Sequence, residues 1–248
     1  MPASPRASEP LSQPGRSPRG RTAPSLESLS ILRQYFDALF QAHGEQHWWP
    51  GRTPFEVIVG AILVQNTNWI NAARAIANLR QAKLLTPSAL EKVPQAKLAR
   101  LIRSSGYFRQ KARKLKGFVK FLRKEHRGSL TVMFRTPTAK LREQLLSVHG
   151  IGPETADSIL LYAGNHPVFV VDTYTRRILQ RHGLALGKES YEEIRGLFEK
   201  SLPNDPQLIN EFHALIVHTG KNFCRSHAPL CSQCALRPFL PQPLEGAR

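Results

Sequence analysis

The run Val148-His149-Gly150-Ile151-Gly152-Pro153-Glu154-Thr155-Ala156, followed by Val170-Val171-Asp172-Thr173, decides how this chain folds. Two glycines one residue apart lead straight into a helix start. Glycine permits backbone angles that a Cβ forbids. It also lets backbone N–H groups approach an anion at the end of a helix that favours negative charge. Such a hairpin holds one phosphate of a nucleic-acid backbone without reading sequence. Asp172 follows about twenty residues on, after an apolar strand-like run and at the start of a second helical pattern. Taken singly, a G-x-G before a helix is common, and an Asp at a helix start is usually a cap. Their order and spacing in a strongly basic chain carry the reading further than either piece.

Outward from this stretch the periodicity is helical. Leu29, Leu32, Tyr35, Phe36, Leu39 and Phe40 mark one buried face. Pro54 suits the first turn of an apolar helix through Phe55, Val57, Ile58, Val59, Ile62 and Leu63. Helical segments are predicted near 69–79, 88–93, 97–104, 110–124, 140–148, 153–163, 173–181, 191–201 and 206–218. Strand-like alternation is nearly absent outside Val168–Val171. The fold class is therefore all-α, without an internal repeat.

The chain has 248 residues and a formal net charge of +17. That length accommodates one large domain or two small lobes. The charge calls for a polyanionic partner, and nucleic acid or an anionic membrane surface would both satisfy it. No apolar run reaches the length of a membrane span, and the N-terminus lacks the apolar stretch of a signal peptide. The expectation is therefore no membrane partner and a cytoplasmic or nucleoid location. Residues 1–25, rich in Pro, Ser and Arg, read as a disordered basic tail. Three cysteines between 224 and 234 do not look like a disulfide framework.

The hairpin and the aspartate together resemble the helix-hairpin-helix Gly/Pro-Asp signature of the endonuclease III superfamily of DNA glycosylases. The blocks Trp48-Trp49-Pro50-Gly51, Thr53-Pro54-Phe55-Glu56 and Gln65-Asn66-Thr67-Asn68-Trp69 are similar to its 3-methyladenine branch. The resemblance covers roughly residues 28–240 and implies two helical lobes with a DNA-binding cleft. The central lobe would be about 52–165, and the second about 26–51 plus 166–240. It implies a monomer acting on damaged double-stranded DNA.

The resemblance also assigns roles. Asp172 would be the carboxylate that supports positive charge on the sugar as the glycosidic bond breaks; the alternative is a plain N-cap. Lys221 would lie near it and help order it, or else only complement a helix C-terminus. Trp48 and Phe55 are candidates to stack on an extruded base, with Trp69 and Trp49 behind them. Phe55 lies on an apolar helix and reads equally as core. Gln65 matches the residue inserted into the space the base leaves, or is a turn residue. Gly150, Gly152, Thr155 and Lys111 would meet the DNA backbone, and Arg113, Lys114 and Lys116 extend the basic run. Bifunctional members carry a lysine two residues after the second glycine. Here that position is Glu154, which cannot form an imine.

Cys224, Cys231 and Cys234 match three ligands of the superfamily's [4Fe–4S] motif, while Leu240 stands at the fourth place. An iron–sulfur cluster that is labile or takes a fourth ligand from another group such as His227, a zinc ion held by Cys-x2-Cys with a His, and free thiols are all open readings. The function implied is a monofunctional glycosylase for alkylated purines such as 3-methyladenine. The rivals are an endonuclease III-like enzyme for oxidised or mismatched pyrimidines and a non-enzymatic DNA-binding protein.

Overall fold

A computed structural model describes residues 26–46, 48 and 51–241. The basic tail and Trp49 lie outside the described residues. The described chain is helical, with no strand among the described residues. Its α-helices are α1 (Leu26–His43), α2 (Pro54–Leu63), α3 (Trp69–Gln81), α4 (Pro87–Lys92), α5 (Gln95–Leu101), α6 (Phe108–His126), α7 (Leu130–Phe134), α8 (Thr138–Leu146), α9 (Pro153–Ser158), α10 (Thr173–Arg181), α11 (Tyr191–Ser201) and α12 (Pro206–Asn222).

Local chemistry sets the helix starts. Thr53, Asn68, Thr86, Ser129, Asp172, Ser190 and Asp205 each accept a hydrogen bond from a first-turn backbone N–H, satisfying donors the helix leaves over. Pro54, Pro87, Pro153 and Pro206 occupy first-turn positions, where a missing N–H costs nothing. Ser190 and Glu193 close a reciprocal capping box.

Two groups of helices result. In one, α4, α5 and α2 pack on α6, α3 packs on α2, and α8 and α2 pack on α9. In the other, α1 packs on α11 and α12, and α10 on α12. They meet where α12 touches the π-helical turn Ile159–Ala163 that continues α9. Arg142 of α8 joins them as well. It makes a bidentate pair with the fully buried Asp157 at 2.7 and 3.0 Å, and donates at 2.6 Å to Glu192 of α11.

Three expectations need correction. Phe40 is 43 % exposed and covers its neighbour Phe36 instead of entering the core. The helix expected over 153–163 turns π-helical from Ile159, an irregularity common at functional sites. Val168–Val171 is buried but forms no regular element and pairs with no strand among the described residues. Side chains of α11 serve its backbone: Glu199 Oε1 accepts from the Phe169 N–H at 3.1 Å, and Tyr191 Oη from the Val171 N–H at 3.3 Å. A buried segment needs partners for its backbone, but those partners need not be another strand.

Candidate active site and nucleic-acid interface

The hairpin joins α8 to α9. Gly150 adopts φ +82°, which a residue with a Cβ takes only under strain. Gly152 is exposed and occupies the N-cap position of α9 without a side-chain cap. Val148 and Ile151 are buried and anchor the loop, and the Ile151 N–H bonds to the Val148 carbonyl at 3.0 Å. The glycines are thus held at the surface on an apolar footing.

Gln65 lies in the turn between α2 and α3 and reaches this hairpin. Its Nε2 donates to the Gly150 carbonyl at 3.1 Å and to Thr155 Oγ1 at 2.8 Å, while Lys114 Nζ donates to its Oε1 at 2.5 Å. Gln65, Gly150 and Thr155 therefore come together, as three of the residues singled out in the sequence. Thr155 is buried beneath the loop. Trp69, at the first turn of α3, is half-buried and packs against the core.

Lys111 is not at the surface. It is 2 % exposed, and its Nζ donates to the Leu63 carbonyl at 2.9 Å and to the Ser105 carbonyl at 2.5 Å. Burial, with Lys114 adding repulsion, pushes its pKa down to about 8. Lys116 likewise donates to the carbonyls of Glu91 and Val93 at the end of α4. Both ammonium groups satisfy leftover helix-end acceptors, so neither is free for a phosphate. Arg113 is exposed. Phe55 is also corrected: its ring is 4 % exposed and belongs to the core formed with α1, α3 and α6.

Asp172 caps α10 at the end of this buried segment. Its Oδ1 accepts from the Thr175 N–H at 2.8 Å and from Thr175 Oγ1 at 2.9 Å. Its Oδ2 lies 3.7 Å from His213 Nε2. The cap engages one oxygen only and leaves Oδ2 outside it. Glu154, in the first turn of α9, is reached by solvent. The protein packed round its carboxyl and the charge of Asp172 nevertheless push its pKa up to about 7, against the pull of Arg176. The Asp172 and Glu154 carboxyls are therefore close enough for the charge of one to oppose ionisation of the other.

Two residues of this site escaped the sequence reading. Tyr162, on the π turn, bonds to His213 Nδ1 at 2.5 Å. His213 lies on α12 among the buried Phe212, Ala214, Leu215 and Ile216. The signal was present, since a lone polar residue in an apolar helical run needs a partner. Trp48 sits beside them: its indole is close enough to Tyr162 to pull the phenol's pKa back against burial and the Asp172 charge, which raise it well above the usual range. Lys221 Nζ lies 5.3 Å from the centroid of the Trp48 ring. Lys221 is thus brought to Trp48, and no ion pair with Asp172 is formed among the described residues.

The three cysteines line one cavity with Ile178, His182, Leu236 and Leu240. Arg181 Nη1 lies 3.3 Å from Cys224 Sγ and also holds the loop carbonyls of Arg225 and Ser226. Three thiols and a leucine do not make the four-cysteine ligand set of a [4Fe–4S] cluster. Among the described residues no group of three or more Cys, His, Asp or Glu is arranged to hold a metal ion.

The fold and the site define a helix-hairpin-helix protein whose glycine hairpin leads into the helix that carries Glu154, with Asp172 capping the helix that follows. The chain belongs to the HhH-GPD superfamily of base excision DNA repair proteins, which it matches over residues 59–204. A protein of Methanocaldococcus jannaschii, provisionally named as a DNA repair glycosylase, is 45 % identical over 85 % of this chain and 96 % of its own. Endonuclease III of Thermotoga maritima is 31 % identical over 74 % of this chain and 81 % of its own. Among solved structures, 3-methyladenine DNA glycosylase of H. pylori bound to 1,N6-ethenoadenine superimposes with a TM-score of 0.66. It is 31 % identical and covers 78 % of this chain and 97 % of that one. An endonuclease III–DNA complex shares the fold, with a TM-score of 0.74 at 24 % identity over 86 % of this chain and 94 % of that one. The protein is thus a base excision repair DNA glycosylase by family.

Proposed function

We propose that the protein is a monofunctional glycosylase that hydrolyses the N-glycosidic bond of alkylated purines such as 3-methyladenine in duplex DNA. The observation that carries this reading is the Trp48 ring, which already holds a cation, the Lys221 ammonium, at 5.3 Å. An N-alkylated purine is cationic, and an indole face attracts a cation. Trp48 is coupled through Tyr162 and His213 to Asp172, so the base would stack where its sugar meets the carboxylate. Lys221 would yield the ring face to the base.

The remaining roles follow from this placement. The hairpin, through Gly150 and Gly152, would grip one phosphate. Gln65, sitting on the hairpin, would enter the gap left by the extruded nucleotide; Trp69 would line the approach. Asp172 would stabilise the oxocarbenium-like sugar and help a water attack it. Glu154 offers no amine, so the reaction would stop at the abasic site without strand cleavage. The enzyme would act as a monomer.

The test is single-turnover release of free base from a duplex containing 3-methyladenine, with a thymine-glycol duplex in parallel. We expect release of the methylated purine without nicking. Asp172→Asn should abolish release while binding to abasic duplex persists. Release from thymine glycol with nicking would overturn the reading in favour of a pyrimidine-specific lyase.

A further inference from the structure

We infer that Tyr162 and His213 form a positioning relay that fixes which imidazole nitrogen carries the proton and aims that N–H at Oδ2 of Asp172. The inference rests on the reading of Asp172 as the working carboxylate, and it names residues that serve it.

The argument is one of donors and acceptors. Asp172 has one oxygen committed to Thr175, through two bonds at 2.8 and 2.9 Å. The other oxygen has His213 Nε2 as its neighbour at 3.7 Å. His213 is 4 % exposed, and its Nε2 has no hydrogen-bond partner. A buried, unpartnered ring nitrogen on an apolar helix is costly, and this one faces a carboxylate. At 3.7 Å the contact is longer than a hydrogen bond, and such contacts tighten in many enzymes only when substrate binds.

The tautomer is set from the other side. The Tyr162 phenol stays protonated, because burial and the Asp172 charge both oppose ionisation. In the relay its O–H donates to His213 Nδ1, which lies 2.5 Å away. With Nδ1 an acceptor, the ring proton of neutral His213 resides on Nε2, the atom facing Asp172. Burial outweighs the attraction of Asp172 and lowers the His213 pKa, so the ring stays neutral. Neutrality matters: an imidazolium would cancel the negative charge the sugar cation needs, whereas a neutral N–H orients the carboxylate and leaves its charge intact. The π-helical turn has a direct part in this, because Tyr162 lies on it.

The relay starts at the residue proposed to hold the base and ends at the residue proposed to act on the sugar. Its test uses the full-length protein with 15N-labelled histidine. Long-range 1H–15N correlation should show His213 as the Nε2–H tautomer in the wild type and a mixture in Tyr162→Phe. Tyr162→Phe should also slow single-turnover release from a 3-methyladenine duplex by about 10- to 100-fold, the cost of a misplaced catalytic group. Its affinity for a duplex carrying an abasic analogue should stay within about twofold of the wild type, a split that lost folding would not give. His213→Gln, whose amide nitrogen reaches toward the Nε2 position, should retain more of the rate than His213→Leu. An Nδ1–H tautomer in the wild type, or Tyr162→Phe releasing base at the wild-type rate, would overturn the relay. Failure of the wild type on 3-methyladenine would instead count against the substrate reading, and the tautomer measurement would still decide the relay.

Discussion

Glu154 is the point where this hairpin departs from the superfamily pattern it resembles. It stands where the resemblance places a lysine in bifunctional members, and its pKa is pushed up to about 7 by packing and by Asp172. A carboxyl whose folded pKa exceeds its unfolded value of about 4.3 favours the folded state at low pH. That contribution is lost as the pH rises through the folded value. Glu154→Gln has no such titration. The melting temperature of the variant should therefore exceed that of the wild type by an amount that is smallest near pH 4.5 and largest above about pH 7.5. A pH-independent difference between the two melting curves would mean that Glu154 ionises as an ordinary surface glutamate. Lys111 makes the complementary point. In the sequence it belongs to a basic run, yet it is buried as a donor to two carbonyls. Charge alone does not reveal which cations of a run remain free.

The hairpin works as an element because three segments hold it. Val148 and Ile151 root it in the core, Arg142 clamps α8 to Asp157 of α9, and Gln65 ties it to the α2–α3 turn. Gly150 is the tightest point: a Cβ there would lie 2.6–2.8 Å from side-chain carbons of Lys114, and its φ is positive. Gly150→Ala should cost about 1–2 kcal/mol of stability from the left-handed backbone alone, read by denaturant unfolding. It should also push Lys114 off Gln65 and weaken binding to abasic duplex. Unchanged affinity would show that the hairpin's bond pattern does not matter to DNA. A second close approach lies across α10 and α12, where a Cβ on Gly220 would come within 2.5 Å of the Tyr174 ring. That proximity lets Arg177 bond the Gly220 and Cys224 carbonyls, and it brings the helix capped by Asp172 up against the helix that carries His213.

Taken whole, the molecule sets a helical group built on α6 against one built on α12, with the site at their junction. Asp172, Glu154, Tyr162 and His213 come from both groups, so the site exists only while the two stay packed. The net charge of +17 suits a partner that is itself highly charged. Engaging about four phosphates would give a log–log salt slope near −3.6, and about a 100-fold loss of affinity between 50 and 200 mM salt. Fluorescence anisotropy with undamaged duplex should show that dependence. A flat response would sink the view that backbone contacts dominate binding. No helix among the described residues is long and apolar enough to cross a membrane.

Some of this was readable from residues in order along the chain. The all-α class follows from a 3.6-residue period, and the helix starts from Thr, Asn, Asp or Ser placed before Pro or an apolar run, because these are short-range effects. The hairpin and Asp172 were legible for the same reason: a glycine turn and a cap are each local. The roles of Phe55, Lys111 and Lys116 were not, since whether a ring or an ammonium reaches solvent depends on helices far away in sequence. The run 168–171 looked like a strand because its apolar content is local, while the side chains of Glu199 and Tyr191 that serve its backbone come from α11. Tyr162 and His213 lie fifty-one positions apart, and no periodicity links them. Packing of α12 on the π turn brings them together, and only there does a buried imidazole acquire both its tautomer and its carboxylate.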